Sequence, residues 1–295
     1  MKPAPFDYYC PRSLDEALAL LAQYGDEAKV LAGGQSLVPA MNMRLARPGV
    51  IVDVNRLPEA AVIERCDGSL RVGMLARKAD LERMPVALDA VHLLAQALPH
   101  VGHWQTRNRG TVCGSLAHAD PSAELPLAIV VLDGAIEARS SARGTRWIAA
   151  GQFFESYFQT ALQNDEIVVG ASFPARREGW GYAFEEFAGR HGDFAIVAVA
   201  CAVALEPNGV ASEVRLGLGG VADKPHLAPL TAYCGRVLSQ RDLPEIANAA
   251  VADIEPPSDL RGSARYRRAL ATNLAQRALT RALASARTAC DGLAQ

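Results

Sequence analysis

Val30-Leu31-Ala32-Gly33-Gly34-Gln35-Ser36-Leu37 joins a short apolar run to two glycines, a glutamine and a serine, and a new apolar run opens at Leu37. Residues 29–31 read as a strand. Paired glycines let the backbone enter positive φ without a Cβ penalty. Successive N–H groups can then face one point and form an anion-binding concavity. If a helical turn starts at Leu37, its free N–H groups and dipole face the same point. A tight strand-to-helix turn without any ligand explains the same residues, because Gly-Gly turns are common.

A second stretch, Arg109-Gly110-Thr111-Val112-Cys113-Gly114-Ser115-Leu116, repeats the combination of glycine-rich turn, small hydroxyl residues and apolar continuation. Two such turns could grip the two phosphates of one diphosphate. Neither turn is G-x-G-x-x-G, and no G-K-[ST] follows either. A diphosphate held by backbone and hydroxyl groups, without a P-loop lysine, points away from ATP hydrolysis.

Ala32-Gly33-Gly34-Gln35-Ser36-Leu37 together with Thr111-Val112-Cys113-Gly114-Ser115-Leu116-Ala117-His118-Ala119-Asp120-Pro121 closely resembles the FAD-binding medium subunit of molybdenum hydroxylases, the xanthine dehydrogenase and carbon monoxide dehydrogenase family. The likeness runs from Phe6 to about Ala286. It implies an α+β chain: a two-domain FAD-binding fold of the PCMH (vanillyl-alcohol-oxidase-like) type, then a small antiparallel sheet with helices. The expected domains are 1–176, with lobes of about 1–55 and 56–176, and 180–290. The resemblance also implies noncovalent FAD in this chain. Ala32, Gly33, Gly34, Gln35, Ser36, Leu37, Thr111, Val112, Cys113, Gly114 and Ser115 would surround the diphosphate. Ala119, Asp120 and Glu124 match positions toward the ribityl chain and ring edge, where a carboxylate could accept from hydroxyl or ring N–H groups. For Asp120, a turn acceptor is an equally good reading. Ile167 and Val168 match backbone contacts to the flavin, and Arg190 and Asp193 match a loop that approaches the ring from the second domain. Two departures stand out: Cys113 replaces a glycine of many relatives, and Glu186 stands where many carry lysine.

At 295 residues, with half of them apolar and a net charge of −2, the chain is long enough for one large or two modest cores. The near-neutral balance lacks the basic face that nucleic acid would require. No apolar run reaches the roughly 20 residues that span a bilayer, and the opening residues 1–6 lack a signal-peptide core. A cytoplasmic protein is expected. The six cysteines, at 10, 66, 113, 201, 234 and 290, form no C-x-x-C element. Neither a metal nor an iron–sulfur cluster is therefore expected within this chain. His92, His100 and His103 are irregularly spaced and read as packing or surface residues.

In chain order, Ser13-Leu14-Asp15-Glu16 is a capped helix start, with Leu14, Ala17, Leu18 and Leu21 on one face. Strands are expected at 50–54, 61–64, 69–73, 135–139, 144–148 and 167–173, and helices at 78–83, 86–98, 123–132 and 151–158. Residues 175–179 read as the linker. Strands at 181–188, 194–205 and 210–218 make an antiparallel meander, the middle one buried on both faces. Helices at 245–254 and 263–286 follow. The second places Leu270, Leu274, Leu279 and Leu283 on a core face and its arginines on a solvated one.

No Ser-His-Asp order, H-E-x-x-H motif or spaced carboxylate pair is present. A chain with binding loops but no acid–base machinery leaves the reactivity to its cofactor. A nucleophilic Cys113 and a buried packing thiol are both compatible with that turn. The resemblance implies that electrons pass from molybdenum and [2Fe–2S] centres on a large molybdopterin subunit and a small subunit, through FAD here, to an outside acceptor. It implies a dimer of such heterotrimers. The rival readings are a stand-alone FAD-dependent reductase or oxidase of related fold and a non-catalytic flavin-binding module.

Overall fold

A computed structural model of the chain describes residues 1–58 and 60–291. The N-terminal lobe sets β1 (Asp7–Tyr9), α1 (Leu14–Tyr24), β2 (Ala28–Leu31), α2 (Leu37–Asn42) and β3 (Val50–Asp53) into a parallel sheet of order β1-β3-β2. Ser13 caps α1 by accepting from the Glu16 N–H at 3.2 Å, as the capping pattern predicts, and Gly25 ends it at φ +50°. Ala17, Leu18 and Leu21 are buried with Val50, Val52 and Val54, so the 3.6-residue stripe of α1 lies on the sheet.

The second lobe contains β4 (Ile63–Cys66), β5 (Ser69–Gly73), α3 (Lys78–Glu82), α4 (Pro85–Ala90), α5 (His92–Ala97), α6 (Trp104–Arg109), α7 (Val112–His118) and α8 (Glu124–Val131). These are followed by β6 (Ala135–Ser140), β7 (Gly144–Ala149), α9 (Ala150–Phe153), β8 (Phe154–Ser156), β9 (Gln159–Thr160) and β10 (Glu166–Pro174). An antiparallel sheet of order β4-β5-β10-β6-β7 shares one core with α8, which is apolar apart from Glu124 at its first position.

Past the 175–179 link come β11 (Trp180–Phe187), β12 (Val197–Leu205), β13 (Ala211–Gly219) and β14 (His226–Leu227), paired antiparallel in sequence order. Then follow α10 (Leu243–Ala250) and α11 (Ala264–Asp291). All nine residues of β12 are buried. Its period-2 alternation sorts by size. Ala198, Ala200 and Ala202 join the core around α8, while Val197, Val199, Cys201 and Val203 join the core beneath α10 and α11. Helix α11 crosses β11 so closely that a Cβ on Gly181 would lie 2.1 Å from the Ala282 carbonyl oxygen and 2.3 Å from the Ala286 nitrogen. That approach explains the stripe Ala271, Ala275, Ala278, Ala282 and Ala286, all buried.

The α+β class and the two-part architecture agree with the sequence reading, but five local expectations change. The helix expected over 86–98 is broken at Val91 (φ −133°, ψ 79°), because the Arg176 N–H takes the Ala90 carbonyl at 2.6 Å. The helix expected over 151–158 stops at Phe153, and residues 154–160 form the β8–β9 hairpin, as their aromatic content favours. The middle strand of the meander starts at Val197, leaving Phe194 half-exposed, and the helix expected at 245–254 occupies Leu243–Ala250. The arginines of α11 are more than a solvated face. Arg267 is buried and donates to the carbonyls of Ile196 and Gly220 and to Asp259, Arg268 donates to the Val251 and Ile254 carbonyls, and Arg277 and Arg281 reach Glu185.

Among the described residues, no helix is long and apolar enough to cross a membrane, and no group of three or more His, Cys, Asp or Glu could hold a metal.

Candidate functional site

The two glycine turns meet. A Cβ built on Gly33 would lie 2.6 Å from the Arg109 carbonyl oxygen, 2.7 Å from the Gly110 Cα and 3.0 Å from the Thr111 nitrogen. Only glycine permits this backbone-to-backbone approach. Gly34 takes φ +71°, and Gln35 folds back to donate from Nε2 to the Gly33 carbonyl at 3.2 Å. The N–H groups of Gly34, Gln35 and Ser36 donate to no protein acceptor among the described residues. On the second turn, Thr111 caps α7, its Oγ1 accepting from the Gly114 N–H at 3.0 Å. This turn is stitched to the start of α3: Lys78 N–H donates to the Gly110 carbonyl at 3.0 Å and Val112 N–H to the Ala76 carbonyl at 3.1 Å.

Both turns line one cavity of about 500 Å³. It gathers Ala32, Gly33, Gly34, Gln35, Ser36 and Leu37 from the first turn and Thr111, Cys113, Gly114 and Ser115 from the second. Ile167 and Val168 come from β10, where a register shift between Val168 and Gly170 turns the strand toward the cavity. At its mouth, Phe158 stands at φ 54° on the β8–β9 hairpin, its ring centroid 5.1 Å from that of His118.

The other site residues expected from sequence lie off this lining. Val112 is the buried first residue of α7. Ala119 ends α7 in the left-handed region (φ 52°), and its carbonyl accepts from the Phe158 N–H. Asp120 Oδ1 accepts from the Ser122 N–H at 2.8 Å, which is the turn role open to it in the sequence. Glu124 is buried, 5% exposed, at the start of α8. Arg190 and Asp193 are exposed on the loop between β11 and β12. That loop packs on the first half of the chain, where the His191 and His103 rings lie 6.2 Å apart.

Lys78, His118 and Phe158 also line the cavity, without having been singled out in the sequence. For Lys78 one signal existed: a lysine on the first turn of a helix opposes the helix dipole.

Burial governs the charge states. It pushes the Cys113 thiol up to about 12, and the sulfur lies 3.6 Å from the Val72 and Gly73 carbonyls, so this is a packing thiol. Burial pushes Glu124 up to about 7 and pulls Lys78 down to about 8; each opposes the shift of the other. Glu186 rises to about 8 through burial and then the nearby Glu124; its Oε2 has no partner among the described residues, and its Oε1 lies 3.9 Å from His100 Nδ1. Burial would raise Glu166, but its bonds from Arg146 hold it below the usual carboxylate range.

Two family models match: the FAD binding domain in molybdopterin dehydrogenase over residues 4–176, and the CO dehydrogenase flavoprotein C-terminal domain over 182–282. The chain is 40% identical, over 97% of both chains, to the 6-hydroxypseudooxynicotine dehydrogenase complex subunit alpha of Paenarthrobacter nicotinovorans. It is 35% identical to the carbon monoxide dehydrogenase medium chain of Hydrogenophaga pseudoflava, over 96% of this chain and 99% of that one. The fold superposes on a solved carbon monoxide dehydrogenase from the same organism with TM-score 0.92 and 34% identity, covering 97% of this chain and 99% of that one. It superposes on quinoline 2-oxidoreductase from Pseudomonas putida 86 with TM-score 0.89 and 34% identity, covering 98% and 100%.

Proposed function

Because this chain belongs to the family of FAD-binding medium subunits of molybdenum-containing dehydrogenases, we propose that it is the electron-transfer link of a multisubunit molybdenum hydroxylase. The residues present fit the cofactor. The Gly33 contact brings the two turns together, and three first-turn N–H groups are left without protein acceptors. Together they offer donors to a diphosphate. When bound, FAD supplies a ring that takes up an electron pair and passes it on.

The chain's own residues then divide the binding. The Gly33–Ser36 and Thr111–Ser115 turns hold the diphosphate through N–H groups and the Ser36 and Ser115 hydroxyls. The carboxyl groups of Asp120 and Glu124 serve the ribityl and ring-edge side. Val112 and Ala119 shape α7 beneath the second turn, and the Ile167–Val168 backbone flanks the flavin. Arg190 and Asp193 complete the ring surround from the 180–290 part, on the far side of a boundary at 175–179. A neutral, buried Cys113 thiol takes no covalent part. The electron source is a small subunit with two [2Fe–2S] clusters and a large molybdopterin subunit, assembled as a cytoplasmic dimer of heterotrimers. The acceptor is external.

The meeting of the two glycine turns at one cavity carries this reading. Its test is purification of the native assembly through a tag on this chain, with metal analysis and a visible spectrum. Iron, molybdenum and FAD should co-elute with it, and the chain expressed alone should carry FAD without substrate turnover. A monomer free of iron and molybdenum that still oxidises the physiological substrate would overturn the proposal.

A further inference from the structure

Lys78 is 5% exposed and lies in the wall of the cavity between the two turns. A Cβ on Gly110 would sit 3.6 Å from its Nζ and 3.7 Å from the Gln35 Cγ, so the ammonium lies where the turns converge. Among the described residues Nζ has neither a hydrogen-bond acceptor nor an ion-pair partner, and it opens on the cavity rather than being fully enclosed. The lysine cannot easily leave. Its own N–H is bonded to the Gly110 carbonyl, and the preceding Arg77 donates to the Arg109 carbonyl and, at 2.6 Å, to Asn55 Oδ1. A buried, unpartnered cation is costly, and its place on the first turn of α3 sets it against the helix dipole. Two unfavourable arrangements at one residue are explained if an anion occupies the cavity.

We propose that the Lys78 ammonium is the cation that meets the diphosphate of bound FAD, supplying the point charge that the glycine turns lack. The inference rests on the FAD reading and names a residue within it. Lysine suits the role as a compact, strongly charged donor to phosphate. The charged and titratable groups that face it are Glu124 at the start of α8, Arg107 on α6 and His118 on α7. Burial, reinforced by Arg107 and opposed by Glu124, sets its proton loss near pH 8 before an anion binds. A dianion would hold that proton in place. Above pH 8, FAD binding then requires proton uptake, and affinity falls by up to tenfold per pH unit.

The full-length chain, stripped of flavin, is titrated with FAD and with riboflavin by flavin fluorescence, as wild type and as Lys78→Met. At pH 7 the variant should lose roughly ten- to hundredfold in FAD affinity and none in riboflavin affinity, because riboflavin has no phosphate. Wild-type FAD affinity should fall between pH 8 and pH 10, and the variant's should not. Unchanged FAD affinity in Lys78→Met, or equal losses for FAD and riboflavin, would overturn the proposal. Should the variant not fold, a flat wild-type profile between pH 8 and pH 10 overturns it by itself. A wild type that binds no FAD at all refutes the cofactor reading instead, a result distinct from all of these.

Discussion

Gly33→Ala should separate the two halves of the cofactor site. The added methyl would lie 2.6 Å from the Arg109 carbonyl oxygen, where ordinary contact begins at 3.4 Å, and it would press on the Gly110 Cα at 2.7 Å. Both neighbours are backbone, so no side chain can rotate away. The turns must part by about 0.8 Å, and overpacking of this kind costs about 1–3 kcal/mol of stability. Binding suffers as well, because the free N–H groups of the first turn and the Ser115 hydroxyl of the second no longer converge. Each hydrogen bond to a charged acceptor is worth about 1.5–3 kcal/mol, so one lost bond reads as roughly ten- to hundredfold weaker FAD. Gly34→Ala is the control. Its methyl would meet only the tips of Leu31 and Val38 at 3.2 Å, although φ +71° adds about 1–2 kcal/mol of backbone strain. Gly33→Ala should therefore lose much more FAD affinity than Gly34→Ala for a comparable loss of stability. Fluorescence titration with FAD and urea denaturation of the apo-chain measure the two quantities. Wild-type affinity in Gly33→Ala would refute the idea that this contact assembles the site.

Glu124 titrates near 7 when folded, above its ordinary value. The stability it contributes is therefore full below about pH 4.5 and lost, on the order of 3 kcal/mol, as pH rises through 7. Glu124→Gln should remove that loss, making the apo-chain more stable than wild type at pH 8 but not at pH 4.5, as urea midpoints at the two pH values will show. Gly181→Ala should destabilise by about 3 kcal/mol, because α11 must lift off β11 to admit the methyl; an unchanged denaturation midpoint would contradict the packing described. Cys113 should resist a thiol reagent at pH 8 in the native chain and react once it is unfolded, since burial keeps it protonated up to about 12. Mass mapping of the labelled cysteines decides the point.

The glycine turns, the α1 cap and the doubly buried β12 were legible in the sequence because each rests on local chemistry. Positive φ at Gly34, the Ser13–Glu16 spacing and an unbroken run of small apolar residues are all visible in a short window. The break at Val91 was not, since nothing between 86 and 98 interrupts a helix and the competing donor is the distant Arg176. The anchoring arginines of α11 were misread for the same reason. Arg267 and Arg268 bond to carbonyls on loops and strand ends that no helical period reveals. Within the site, the turns could be named, and the place of Lys78 on the first turn of a helix is visible in the sequence, but its burial is not. Its burial depends on the second turn folding over the start of α3, a contact between residues far apart in the chain.

β12 makes the two halves of the chain inseparable in a thermodynamic sense. Its alanines are part of the wall that α8 needs, while its valines and Cys201 are the floor on which α10 and α11 rest. Cutting the chain at 176 would strip α8 of that wall and leave a broad apolar face in water. Although two family models meet between 176 and 182, the chain should melt as one cooperative unit, with neither half able to open while the other stays folded. Anything that loosens α11, about forty ångströms of helix, is thereby felt through β12 at α8, in the half of the chain that carries the two glycine turns.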